Sequence, residues 1–133
     1  MLDHIFLTVG DVERSIVFYT ATLAPLGIDQ RLDYDGKDGP PGHPDLKGFG
    51  KNGRFIFWLR KGETAPSSTH IGFAADSEAM VDAAHVAALA AGALEIHRPG
   101  PQLHYDPRYY AAQAADPDGH TLEFVYKSWQ HGN

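Results

Sequence analysis

The stretch Asp116-Pro117-Asp118-Gly119-His120-Thr121-Leu122-Glu123-Phe124-Val125-Tyr126 reads as a tight turn running into a strand that carries one carboxylate. Asp118-Gly119 is a strong turn signal, because Gly accepts the positive φ that primed hairpin turns require, and Pro117 favours an extended entry. From Thr121 onward, side chains alternate between the two faces of a strand. Leu122, Phe124 and Tyr126 share one face, and Thr121, Glu123 and Val125 share the other. Glu123 thus stands among apolar neighbours, where an unpaired carboxylate is costly, and a cation, a hydrogen-bonded Arg or a metal is expected beside it.

Working outward, the same closing hairpin has a counterpart earlier in the chain. Asn52-Gly53 leads into the apolar run Phe55-Ile56-Phe57-Trp58-Leu59, which reads as a buried strand. Before it come a strand over residues 2–9, a helix and a strand over residues 28–34. Asp11 can N-cap that helix, whose apolar positions are Val12, Ile16, Tyr19 and Leu23 and which Pro25 and Gly27 stop. Asp35 to Pro44 is loaded with Gly, Pro and Asp and reads as a loop, and Leu46 to Gly50 as a short strand. The order is βαβββ.

After a linker over residues 62–68 the order begins again. A strand over 69–75 precedes an Ala-rich helix that Asp76 or Ser77 caps and Gly92 stops. A strand over 94–97, a Pro/Gly-rich loop around 98–107, a strand over 109–114 and the closing strand follow. An offset of 66 carries His4 onto His70, Ile5 onto Ile71, Gly53 onto Gly119 and Lys61 onto Lys127. Internal duplication is therefore the reading: an α+β chain of two tandem βαβββ modules, residues 1–61 and 69–127, forming one domain. The same offset places Phe57 opposite Glu123, so the first module lacks the acid.

A chain of 133 residues that is 43% hydrophobic is long enough for one domain with a proper core. A formal net charge of −6 argues against nucleic acid and against anionic membrane as partners, since both demand a basic patch, and leaves small molecules or proteins. The absence of Cys excludes disulfides, thiolate nucleophiles and Cys-type zinc sites, so the 8 His residues are the obvious soft ligands. No apolar run approaches a membrane span and Asp3-His4 interrupts any signal-like start, so a cytoplasmic location is expected.

In two copies related by approximate two-fold symmetry, His4 and His70 can approach one point and Glu123 can join them. Two imidazoles and a carboxylate form a facial set that divalent transition metals accept, with positions left open for water or substrate. The ordinary alternative is that each His is a half-buried residue hydrogen-bonded within its sheet. His43, His85 and His131 fall on a loop, a helix and the tail and read as solvated. His97 and His120 carry no assignment.

These residues resemble the vicinal oxygen chelate superfamily, which includes glyoxalases, extradiol dioxygenases, fosfomycin-resistance thiol transferases and bleomycin-resistance proteins. The resemblance rests on Asp3-His4-Ile5, Thr69-His70-Ile71, the segment from Asp116 to Glu123 and the doubled βαβββ order. It implies an open, cupped mixed sheet around a divalent ion (iron, manganese, zinc or nickel), ligands at His4, His70 and Glu123, a homodimer, and a small-molecule substrate bound through adjacent oxygens. Glyoxalase I enzymes usually have a fourth protein ligand at the place assigned here to Phe57. The three-ligand set therefore points to dioxygenase-like or thiol-transferase-like chemistry rather than a glyoxalase I lyase. The rival expectation is a bleomycin-resistance-type protein that sequesters a small compound without chemistry.

The segment His104-Tyr105-Asp106-Pro107-Arg108-Tyr109-Tyr110 is dense in groups suited to meeting a substrate. Arg108 can clamp a carboxylate or phosphonate, and His104 or Tyr110 can transfer a proton beside the ion. Equally, the aromatics can fill gaps between sheet and loop while Arg108 pairs with Asp106.

Overall fold

The computed structural model describes residues 1–131. Its first module runs β1 (Ile5–Val9), α1 (Val12–Leu23), β2 (Gln30–Tyr34), β3 (Leu46–Lys51) and β4 (Arg54–Lys61). The second runs β5 (His70–Ala74), α2 (Glu78–Ala90), β6 (Leu94–Pro101), β7 (Tyr109–Ala115) and β8 (Thr121–Lys127). Each module builds a four-stranded mixed sheet, ordered β1-β4-β3-β2 and β5-β8-β7-β6. In both sheets the first and last strands of the module pair in parallel and the other pairs are antiparallel. The duplicated order expected from the sequence is present, as two sheets whose edge strands include β1 and β5.

Both helices start on side-chain caps. Asp11 accepts from Arg14 N at 3.1 Å and Ser77 from Met80 N at 3.1 Å. The helices cover one face of the sheets, and the core forms between them. Phe18, Tyr19 and Leu23 of α1 and Val81, Ala84 and Ala88 of α2 are buried there with Phe57, Leu59, Leu122 and Phe124. Phe57 meets Phe73 edge-on at 5.3 Å, which joins the cores of the two modules. The Ala positions of α2 let helix and sheet approach closely. Strand alternation then leaves His4, Phe6 and Thr8 along β1, and His70 and Gly72 along β5, on the helix-free face.

Three features differ from the sequence expectations. β6 continues to Pro101 instead of ending at His97, with register shifts between Glu95 and His97 and between His97 and Gly100. As an edge strand it tolerates Pro99 and Pro101, which a central strand would not. The connection from β7 to β8 spans residues 116–120, since Ala115 pairs with Thr121, and only Gly119 has a positive φ, at 91°. Asp116 organises it. One carboxylate oxygen accepts from Asp118 N at 2.9 Å and His120 N at 2.8 Å, while the other accepts from the Tyr19 hydroxyl.

The third difference is a bulge. Gly50 pairs with Phe55 and Phe49 with Phe57, which leaves Ile56 as an extra residue in β4, whereas β7 and β8 pair without interruption. Phe6 lies beside Trp58 just as Gly72 lies beside Glu123. The structural counterpart of Glu123 is therefore Trp58 and not Phe57, whose side chain is buried on the helix face. The chemical conclusion survives, because Trp cannot ligate a metal either.

Candidate metal centre

Glu123 is 6% exposed, on the helix-free face of the second sheet. Its carboxylate is fully engaged: His70 Nε2 lies 2.9 Å from Oε1, the Tyr109 hydroxyl donates to Oε2, and Gln113 Nε2 donates to Oε1 at 3.4 Å. Register explains each contact. Gln113 sits directly opposite Glu123 on β7, Tyr109 lies four residues before it on the same face, and Gly72 pairs with Glu123 on β5, two residues from His70. Burial and then the neighbouring Glu123 raise the Tyr109 pKa well above the usual phenol value, so this hydroxyl remains a donor at neutral pH.

The two expected histidines line one cavity of about 640 Å³ between the two sheets, together with Phe6, Thr8 and Gly72. They do not meet. His4 Nδ1 is 2.7 Å from Asp3 Oδ1 and its side chain is half exposed, which pulls Asp3 below the ordinary carboxylate pKa through their hydrogen bond. Of the expected ligand trio, only His70 and Glu123 are in contact in this chain. The donor chemistry still suits a divalent ion, since an imidazole nitrogen and a carboxylate oxygen already converge at His70 and Glu123, and His4 lines the cavity that His70 lines.

Among the described residues, the one group of three ligand-type side chains with atoms within 4.8 Å of one another is Asp116, Asp118 and His120. Its polar atoms are largely committed to fastening the two modules together. Tyr19 and two backbone N–H groups occupy Asp116, Gly10 N donates to Asp118 Oδ1 at 3.2 Å, and Arg14 lies 3.5 Å from that oxygen. His120 places Nε2 2.8 Å from the Thr8 carbonyl, and neither its Nδ1 nor Asp118 Oδ2 has a hydrogen-bond partner among the described residues. The guanidinium at this cluster opposes a cation.

The remaining expected site residues separate. His104 packs at a tilt against Tyr105, with ring centres 4.2 Å apart, and Tyr105 likewise against Tyr109 at 5.0 Å, so an aromatic row leads from the surface toward Glu123. Arg108 is tied to Asp106 by two bonds of 3.0 Å and lies over Trp129, the ordinary structural arrangement; its hydrogen bonds hold the Asp106 pKa down at about 2. Tyr110 points to the helix face and donates to Asp82 of α2 at 2.7 Å. That bond, then burial, pushes its pKa up to about 12. The neighbour, Tyr109, is the phenol at the centre. Strand parity on β7 could have chosen it.

Two histidines depart from the solvated reading. His85 is buried at 2% exposure against Glu95, with Nε2 2.7 Å from its carboxylate. Its spacing from Val81 puts it on the buried stripe of α2. His43 is half buried, with Nδ1 2.8 Å from the Pro44 carbonyl.

The family model described as Glyoxalase/Bleomycin resistance protein/Dioxygenase superfamily matches residues 1–124. Among solved structures, a glyoxalase/bleomycin resistance protein from Albidiferax ferrireducens T118 is similar at 26% identity and a TM-score of 0.76, over 95% of this chain and 98% of that one. The fosfomycin resistance protein FosX from Listeria monocytogenes shares the fold at 19% identity and a TM-score of 0.68, over 98% of this chain and 96% of that one. A glyoxalase/bleomycin resistance protein/dioxygenase family enzyme from Burkholderia phytofirmans PsJN does so at 17% and 0.67, over 94% and 97%. No curated protein matches the sequence significantly. The doubled module, the closing turn and the match over nearly all of its length make this chain a member of the Glyoxalase/Bleomycin resistance protein/Dioxygenase superfamily.

Proposed function

We propose that this chain is a divalent-metal-dependent enzyme acting on a small molecule with two adjacent oxygens, the ion being held by His70, Glu123 and His4. The observation that carries the reading is the 2.9 Å contact between His70 and Glu123, on the face where His4 and His70 share a cavity. A bound ion there supplies Lewis acidity toward chelated oxygens. Tyr109 and Gln113 orient the Glu123 carboxylate, and a protonated Tyr109 keeps it from turning away. His4 completes the set by leaving Asp3, within one chain or across a homodimer.

With Trp58 in the register of Glu123, the first module contributes no acid, and three protein ligands leave room for a chelated substrate. This favours dioxygenase-like or thiol-transferase-like chemistry over a four-ligand lyase. Of the outer groups, His104 is linked to the site only through the rings of Tyr105 and Tyr109, while Arg108 and Tyr110 are bound elsewhere.

Equilibrium dialysis of metal-free protein against manganese, iron, zinc and nickel tests the reading. The expected result is about one ion per chain for the wild type, with affinity at least about 100-fold lower in His70→Ala and Glu123→Gln. Equal affinity in all three proteins contradicts it.

A further inference from the structure

Beside His4, on the helix-free face of the first sheet, lies a second cavity, of about 260 Å³, which the metal reading does not use. Phe6, Tyr34, Phe55 and Trp58 wall it, with the imidazoles of His4 and His43 at its edges. We infer that this recess receives a flat aromatic ring carried by the same ligand whose oxygens reach His4, His70 and Glu123. The ligand class is thus a small molecule with a chelating oxygen pair at one end and a single ring at the other. The chelating end of that ligand rests on the proposed metal site. The ring recess itself does not.

The walls are built in advance. Trp58 lies so close to Gly48 that a Cβ there would come within 2.5 Å of the indole ring, so only a glycine lets the ring lie flat on the strand. Its one polar atom is spent locally, since Nε1 donates to the Phe55 carbonyl at 3.1 Å, and what remains to line the recess is apolar π surface. The far wall is equally fixed. Gly36 N donates to Asp45 at 2.8 Å, and Gly39 admits the His43 ring where a Cβ would lie 2.7 Å from it. His43 is thereby held against Tyr34, at 5.1 Å between ring centres. Side chains ordered before binding lose little entropy on binding, which is what a recognition pocket needs.

Position and size define the occupant. The recess shares Asp3, His4 and Phe6 with the larger cavity, so a ligand anchored there by its oxygens reaches the recess past the His4–Phe6 pair, whose ring centres are 5.7 Å apart. A volume of about 260 Å³ falls just below the roughly 300–1,000 Å³ of whole ligand pockets, and so suits one ring of a larger ligand. Phe6 and Tyr34 remain 39% and 37% exposed, a sizeable aromatic surface left open to solvent. Duplication has been put to asymmetric use: at equivalent register positions one module carries Glu123 and the other Trp58.

The test compares mandelate with lactate, two 2-hydroxy acids that differ by phenyl against methyl. Both are titrated calorimetrically into manganese-loaded protein, and by indole fluorescence in a Trp129→Phe background, where Trp58 is the remaining tryptophan of the chain's two. Mandelate is expected to bind at least about tenfold more tightly than lactate and to change Trp58 emission. That preference should vanish in Trp58→Ala and in Tyr34→Ala, the latter a surface change that leaves the core intact. Equal affinities in the wild type, or a preference that persists in both variants, overturns the inference. His70→Ala separates the two readings. Weakening of both acids with the preference kept supports both; unchanged affinities with the preference kept remove the metal reading and leave the ring recess standing.

Discussion

Glu123 shows how far a single residue can be read from sequence. Its place on a strand, its face and its need for partners all followed from alternation and from the cost of burying a carboxylate. The partners themselves did not, because they depend on cross-strand register: Tyr109, Gln113 and His70 are adjacent only in space. Replacing Tyr109 by Phe should lower metal affinity by about 10- to 100-fold with little loss of fold, measured by metal titration alongside a thermal melt. Tyr110 offers a separate check. Its phenol titrates at about 12 against an ordinary 10.0, so the protonated form is the one the fold favours. The associated stability is complete below pH 10 and is lost as pH rises through about 12. Phenolate absorbance should show this late titration, and Asp82→Ala should move its midpoint back toward 10.0.

At the scale of elements, both helices and the strand order were legible, because caps, apolar period and turn residues agreed with one another. What sequence concealed were departures from regular pairing. The extra residue at Ile56 shifts β4 by one and exchanges Phe57 for Trp58 on the helix-free face, since a slip of one residue reverses every side chain. The turn over 116–120 was recognised as a turn, but its fastening to the first module through Tyr19, Gly10 and Thr8 was not, for those partners lie about a hundred residues away. Asp116→Ala removes the acceptor of three donors, two of them in buried hydrogen bonds, and should cost about 2–4 kcal/mol of stability in denaturant titration, while Asp116→Asn should cost less. A change below about 0.5 kcal/mol would deny the turn this fastening role.

For the molecule as a whole, the duplication told that two equivalent strands would each present a histidine, and both do line one cavity. The distance between them was beyond the reach of a repeat offset, because it is set by how two separate sheets pack through Phe57, Phe73 and the helices. If a second copy supplies His4, an equimolar mixture of His4→Ala and His70→Ala proteins, exchanged at random through partial unfolding, should recover about a quarter of the wild-type sites, since half of the dimers are mixed and each of these has one intact and one doubly damaged site. If one chain supplies all three ligands, the mixture should bind no better than its components. The most direct measurement is an anomalous-scattering map from crystals grown with manganese. A peak touching His70, Glu123 and a His4 side chain is the expected result; a peak at Asp116, Asp118 and His120 in its place, or none at saturating metal, would contradict it.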